Sequence, residues 1–204
     1  MHQEENRLPL SFYEAYDTRS LAQKLLGCEL VHNSPDGTTS GIIVETEAYL
    51  QDDPACHAYQ KRTIRTEPMY GAPGTIYVYL IYGMYQCFNV VSREEGCGEA
   101  VLVRALEPKE GMELMEIRRQ NSRKVGLQKP VSPRELCRGP GKLVLAMGID
   151  RAIHNGLSLT DSDLYLKPSL QDILEVDVSK RIGITQGADL LYRYSIRNNP
   201  FVSK

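Results

Sequence analysis

Thr75-Ile76-Tyr77-Val78-Tyr79-Leu80-Ile81-Tyr82-Gly83-Met84-Tyr85-Gln86-Cys87-Phe88-Asn89-Val90-Val91 is the stretch on which the fold turns. Two runs rich in β-branched and aromatic residues, Thr75–Ile81 and Tyr85–Val91, flank Tyr82-Gly83-Met84, the pattern of two strands joined by a turn. Along the first run Tyr77 and Tyr79 point to one side, and Ile76, Val78 and Leu80 to the other. The surrounding segment, Pro68 to Ser92, is 25 residues without a charge. A membrane-spanning helix needs about 20 mostly apolar residues. Here Gly71, Pro73, Gly74, Gly83, Gln86 and Asn89 interrupt the run, and its apolar residues alternate, so it reads as strands.

Outward from the hairpin, Thr18–Leu26 has apolar residues at helical spacing, with Gly27 placed to end the helix. A strand, Cys28–His32, and a tight turn, Ser34-Pro35-Asp36-Gly37, follow. Ile42–Leu50 alternates, placing Ile42, Val44, Thr46, Ala48 and Leu50 on one face and Ile43, Glu45, Glu47 and Tyr49 on the other. Residues 51–74 are irregular. After the hairpin, a Gly-rich loop, Glu94–Gly98, leads into a strand, Ala100–Leu106, and then a helix from about Lys109 to Gln120. Arg138-Gly139-Pro140-Gly141-Lys142 opens a short helix through Met147, and Leu190–Ile196 reads as a closing strand. No repeat or Ser/Pro linker divides the chain. The expectation is one α+β domain over 1–204, a mostly antiparallel curved β-sheet with peripheral helices and a protruding β-hairpin.

Hydrophobic residues make up 42% and charged residues 25% of the 204, a globular composition that excludes a disordered or fibrous chain. A net charge of −2 also excludes a uniformly basic coat, but the charge is unevenly spread. Residues 1–60 carry 3 Lys+Arg against 10 Asp+Glu, and residues 117–151 carry 9 against 2. The basic set is Arg118, Arg119, Arg123, Lys124, Lys129, Arg134, Arg138, Lys142 and Arg151; it reads as a phosphate footprint or as a solvated helix face. The five cysteines have no C-x-x-C spacing, so no zinc site, other metal or redox dithiol is expected. The polar, acidic N-terminus carries no signal peptide, which points to a reduced, cytoplasmic protein.

Glu45 and Glu47 share a face of an otherwise apolar strand, where a half-buried carboxylate needs a partner. Arg104, inside the apolar run Val101–Leu106, offers one, as a structural ion pair or as part of a reactive site. The alternative for the two acids is a solvent-facing sheet surface. His57 is a lone loop histidine. Of twelve tyrosines, with three Phe and no Trp, five fall between Tyr70 and Tyr85. Rings flanking a base, with Tyr82 at a hairpin tip, fit base flipping; ordinary cross-strand aromatic pairing is the competing reading. Arg138, Gly141 and Lys142 lack P-loop spacing but could seat one backbone phosphate.

Gly41–Leu50, Pro73–Tyr85, Val103–Pro108, Arg138–Leu143 and Arg181–Ile184 together resemble the alkyladenine (3-methyladenine) DNA glycosylase family, in order and over nearly the whole chain. The resemblance implies hydrolysis of the N-glycosidic bond of an alkylated purine flipped from duplex DNA, starting base excision repair. It gives Glu47 the part of general base and Arg104 that of holding Glu47 and the water. Tyr49, His57 and Tyr79 match the aromatic base pocket, Asn89 a pocket residue that excludes guanine, and Tyr82 the side chain that fills the vacated stack. It further implies no cofactor, no strand cleavage through a Schiff base, a monomer partnered by damaged double-stranded DNA and no membrane, in the cytoplasm at the nucleoid. The short N-terminus suggests a bacterial member. A non-catalytic nucleic-acid-binding module and a hydrolase of free nucleosides are the competing functions.

Overall fold

The computed structural model of the protein describes residues 6–81, 83–122, 130–170 and 175–203. Its strands are β1 (Glu29–Ser34), β2 (Gly37–Tyr49), β3 (Ile76–Ile81), β4 (Tyr85–Val91), β5 (Ala100–Glu110), β6 (Leu164–Lys167), β7 (Val176–Ser179) and β8 (Arg193–Ile196). They form one curled sheet, in the order β3-β4-β5-β2-β1-β6, with β8 joined to β2 and β7 to β8. Every strand pairing among the described residues is antiparallel. The helices are short: α1 (Leu10–Glu14), α2 (Thr18–Lys24), α3 (Met112–Asn121), α4 (Pro133–Leu136), α5 (Pro140–Met147) and α6 (Arg151–His154). This is the α+β architecture expected of the sequence.

The sheet separates two apolar clusters. Leu21, Ala22 and Leu25 of the α2 region, Met115 of α3 and Leu143, Val144 and Met147 of α5 pack with Ile76, Val78, Val101, Val103 and Leu106 in the main core. Each of the Leu, Ile, Val and Met side chains withdrawn from water contributes about 1.5–3 kcal/mol. The smaller cluster, on the opposite face, holds Cys56, Ala58, Met69, Tyr70 and Tyr77, with Tyr49 and Tyr79 against it. The alternation read in Thr75–Ile81 thus sorts the tyrosines away from the main core. Ile81 pairs with Tyr85 at the turn, where Gly83 has φ +70°, a conformation that favours glycine.

Strand β2 departs from simple alternation. Through Ile42 one edge bonds to β1, and from Glu45 to Glu47 the strand pairs with β8. Against β5, Ile43 faces Leu106 and Glu45 faces Ala105, which leaves Val44 as an extra residue; Thr46 then faces Val103, which leaves Arg104 extra on the other strand. Two bulges of opposite sense therefore stand side by side, where such irregularities re-aim side chains. The first corrects the face assignment: Ile43 belongs to the main core with Ala48, not with Glu45, Glu47 and Tyr49. Other boundaries shift as well. Strand β5 runs on to Glu110 and takes Lys109 from the expected helix, β8 begins at Arg193, and the four-residue strands β6 and β7 had no sequence signal. All five cysteines are free thiols. Among the described residues no helix is long and apolar enough to cross a membrane.

Candidate active site

On the tyrosine face of the sheet lies a cavity of about 310 Å³, within the size range of small-ligand pockets. Tyr77 and Tyr79 of β3, Asn89 of β4, Tyr49 at the end of β2 and His57 from the irregular 51–74 stretch line it. The Tyr77 and Tyr79 rings lie 5.5 Å apart at 32°, and His57 meets the Tyr79 ring edge-on at 4.4 Å. Across the hairpin Tyr77 faces Asn89 and Tyr79 faces Cys87, so cross-strand aromatic pairing does not account for either ring. Asn89 is fixed by its side-chain N–H donating to the Tyr77 carbonyl at 2.9 Å. The bond between His57 Nδ1 and the Tyr77 hydroxyl, 3.0 Å, orients the imidazole.

Burial sets the charge of these walls. It pushes the Tyr77 phenol up to about 12 and raises Tyr49 and Tyr79 as well, so all three rings are neutral at physiological pH. It also lowers His57 to about 4, with the Arg65 charge adding to the effect. The cavity therefore presents uncharged aromatic faces, which attract a cation through their quadrupoles. A neutral His57 does not oppose that attraction.

Glu45 and Glu47 are both 0% exposed, which removes the solvent-facing alternative for them. Arg104, aimed by its bulge, donates from Nε to Glu45 at 2.9 Å and sets Nη1 3.2 Å from Glu47. Glu47 also accepts the Tyr49 hydroxyl at 2.8 Å on Oε2 and the Ile182 backbone N–H at 2.8 Å on Oε1. Glu47 stands just behind the cavity wall, since Tyr49, Arg104 and Ile182 line it and Glu47 does not. Burial would raise the Glu45 carboxyl, but Arg104, Arg193 and Ser203 together hold it below the usual range. A carboxylate held by a guanidinium, a phenol and an amide is fixed in orientation, with a lone pair left on Oε2 for water.

Several residues escaped the sequence reading. Tyr77, which the resemblance gave no part, is a wall residue. Arg181, within the matching block Arg181–Ile184, is buried, paired with Asp53, donates to the Ala48 carbonyl at 2.9 Å, and lies 4.6 Å from the Tyr49 ring centre. It anchors the segment whose Ile182 N–H reaches Glu47. Only a long-range pairing across 128 residues reveals this, and local pattern carries no trace of it.

The Arg138–Lys142 element borders the cavity through Pro140. Arg138 donates to the Val202 carbonyl and to Glu135, Lys142 donates to Glu135 at 2.6 Å, and Gly141 packs under Tyr85. Arg118 likewise donates to the Ser34 hydroxyl and Arg134 to the Pro200 carbonyl, while Arg119 is buried. Among its described cations, Arg118, Arg134, Arg138 and Lys142 each hold a partner within the fold, and Arg151 is exposed. Arg123, Lys124, Lys129 and Tyr82 lie outside the described residues. Among the described residues no group of His, Cys, Asp and Glu could hold a metal ion.

The family described as methylpurine-DNA glycosylase matches the chain over residues 11–200. A relative from Methanoculleus marisnigri is 47% identical over 202 residues, covering 97% of this chain and 98% of its own length. One from Carboxydothermus hydrogenoformans is 45% identical with the same coverage, and one from Francisella tularensis is 44% identical over 92% of this chain and 94% of its own. All three are named for 3-methyladenine DNA glycosylase activity.

Proposed function

The chain belongs to the methylpurine-DNA glycosylase family, and from that premise we propose that it excises alkylated purines such as 3-methyladenine from duplex DNA, starting base excision repair. The observation that carries this reading is a buried carboxylate–guanidinium pair at a cavity walled by neutral aromatic rings, with Arg104 lining the cavity and Glu47 directly behind it. A purine alkylated on the ring carries positive charge; stacking on Tyr49 and Tyr79 binds it with about 0.5–2 kcal/mol per cation–π contact. To reach the cavity the nucleotide must leave the stack, and Tyr82, between the two hairpin strands, is the side chain we assign to the gap. Asn89 crowds the position that an exocyclic amine would take.

As the bond from C1′ to the base nitrogen breaks, its electron pair leaves with the base, and the sugar gains oxocarbenium character. The Glu47 charge stabilises that cation and takes the proton of the water whose oxygen attacks C1′. Arg104 aims Glu47 through its Nη1. A cationic purine departs as a neutral base, so no acid is required, and the neutral His57 supplies none. Methylated duplex DNA, incubated with the protein and with Glu47→Gln, tests the proposal by release of 3-methyladenine. The natural chain releases it and the variant does not, while both bind the damaged duplex. Equal release by both removes Glu47 from the reaction.

A further inference from the structure

We infer that Glu45, to which no chemical step falls, is a positioning residue for Arg104, and that Arg193 and Ser203 at the far end of the chain complete its grip. The inference rests on the reading of Glu47 and Arg104 given above. Arg104 divides its guanidinium between two acids: Nε goes to Glu45 at 2.9 Å and Nη1 lies 3.2 Å from Glu47. The same Glu45 oxygen accepts Arg193 Nε at 2.6 Å and the Ser203 hydroxyl at 2.9 Å. Its second oxygen accepts the Ser203 backbone N–H at 2.7 Å. Four bonds on one buried carboxylate leave it a single orientation, and a guanidinium anchored at Nε has its Nη1 direction decided for it. Arg193 in turn donates to the Ser203 carbonyl at 3.2 Å, which closes the tail onto β8 and β2.

The cluster is also balanced in charge. Among the described residues Arg104 and Arg193 face Glu45 and Glu47, with Tyr49 of β2 and Cys87 of β4 beside them and the Arg181–Asp53 pair beyond the Tyr49 ring. Removing one charge from the outer pair therefore biases the inner pair in a known direction. With Glu45→Gln, two cations act on Glu47 alone, and the acid limb of the excision profile moves to lower pH. With Arg193→Gln, Arg104 answers two carboxylates, and the limb moves to higher pH.

The test is single-turnover release of 3-methyladenine from methylated duplex across the pH range, beside binding of the same duplex. Loss of an outer partner that orients a reacting group typically costs about 10–100-fold in activity, and we expect a rate loss of that order in Glu45→Gln with affinity unchanged. The limb shifts should have opposite sign in the two variants. Ser203→Ala, which keeps the backbone bond, should retain most of the rate. A natural rate in Glu45→Gln overturns the inference, as does a uniform loss across pH in both variants. If Glu45→Gln does not fold, Arg193→Gln decides alone by its upward shift. Failure of the natural chain to release base would instead overturn the enzyme reading itself.

Discussion

Lowering the pH should weaken the fold through His57, and the size of the effect follows from its surroundings. The imidazole is packed against Tyr79, bonded to Tyr77 and held at about 4 by burial and Arg65, against 6.5 in an open chain. Below 6.5 the unfolded chain binds a proton at this position that the folded chain refuses, so stability falls as the pH falls from about 6.5 towards 4. Between 6.5 and 5 the span is about 1.5 units; at 1.36 kcal/mol per unit this is about 2 kcal/mol at full value, and about 1–2 kcal/mol allowing for solvent at a partly exposed ring. Urea unfolding of the natural protein and His57→Gln, each at pH 7.5 and pH 5, isolates the effect. The variant is less stable at pH 7.5, but its further loss on acidification should be smaller by about 1–2 kcal/mol. His32 is also lowered by burial, beside His154, and contributes the same slope to both proteins. Parallel pH dependence in the two would show that His57 titrates as a free imidazole and would return a charge to the cavity wall.

Asp53→Asn strips the buried Arg181 of its carboxylate, and loss of one partner from such a pair costs about 3–5 kcal/mol; chemical denaturation should show a loss of that order, with weaker binding of the damaged duplex because Arg181 backs the Tyr49 ring. Gly98→Ala would bring a Cβ to 2.5 Å from Ala58 and 2.8 Å from the Tyr70 ring, beneath the stretch that carries His57. Overpacking of this kind costs about 1–3 kcal/mol, so its melting temperature should fall, and a neutral result would mean that the 51–74 stretch yields freely.

The hairpin was legible because two runs rich in β-branched and aromatic residues flank a short turn containing Gly83. Glu45, Glu47 and Arg104 were legible as misfits, charged residues in apolar runs whose burial demanded one another. The bulges were not, because a single extra residue leaves no mark in a β-branched run such as Ile42-Ile43-Val44. Strands β6 and β7 are four residues each and exist through the edges they cover. Arg181, Arg193 and Ser203 matter through partners more than 100 residues away, and no local pattern reports that distance. The partners of the basic segment were equally hidden: a count of cations does not say which of them pair with Glu135 or with backbone carbonyls.

The adjacent bulges at Val44 and Arg104 place a condition on chain length. One adds a residue to β2 and the next adds one to β5, so the pairing before and after them keeps the same offset. A chain without Val44 would have to turn either Thr38–Ile43 or Glu45–Tyr49 to the wrong side of the sheet, since side chains alternate with a period of two. The acid, its cation and the ring beside them are therefore located by an exact count along two strands. The interval from Ile43 to Glu47 thus cannot change by a single residue.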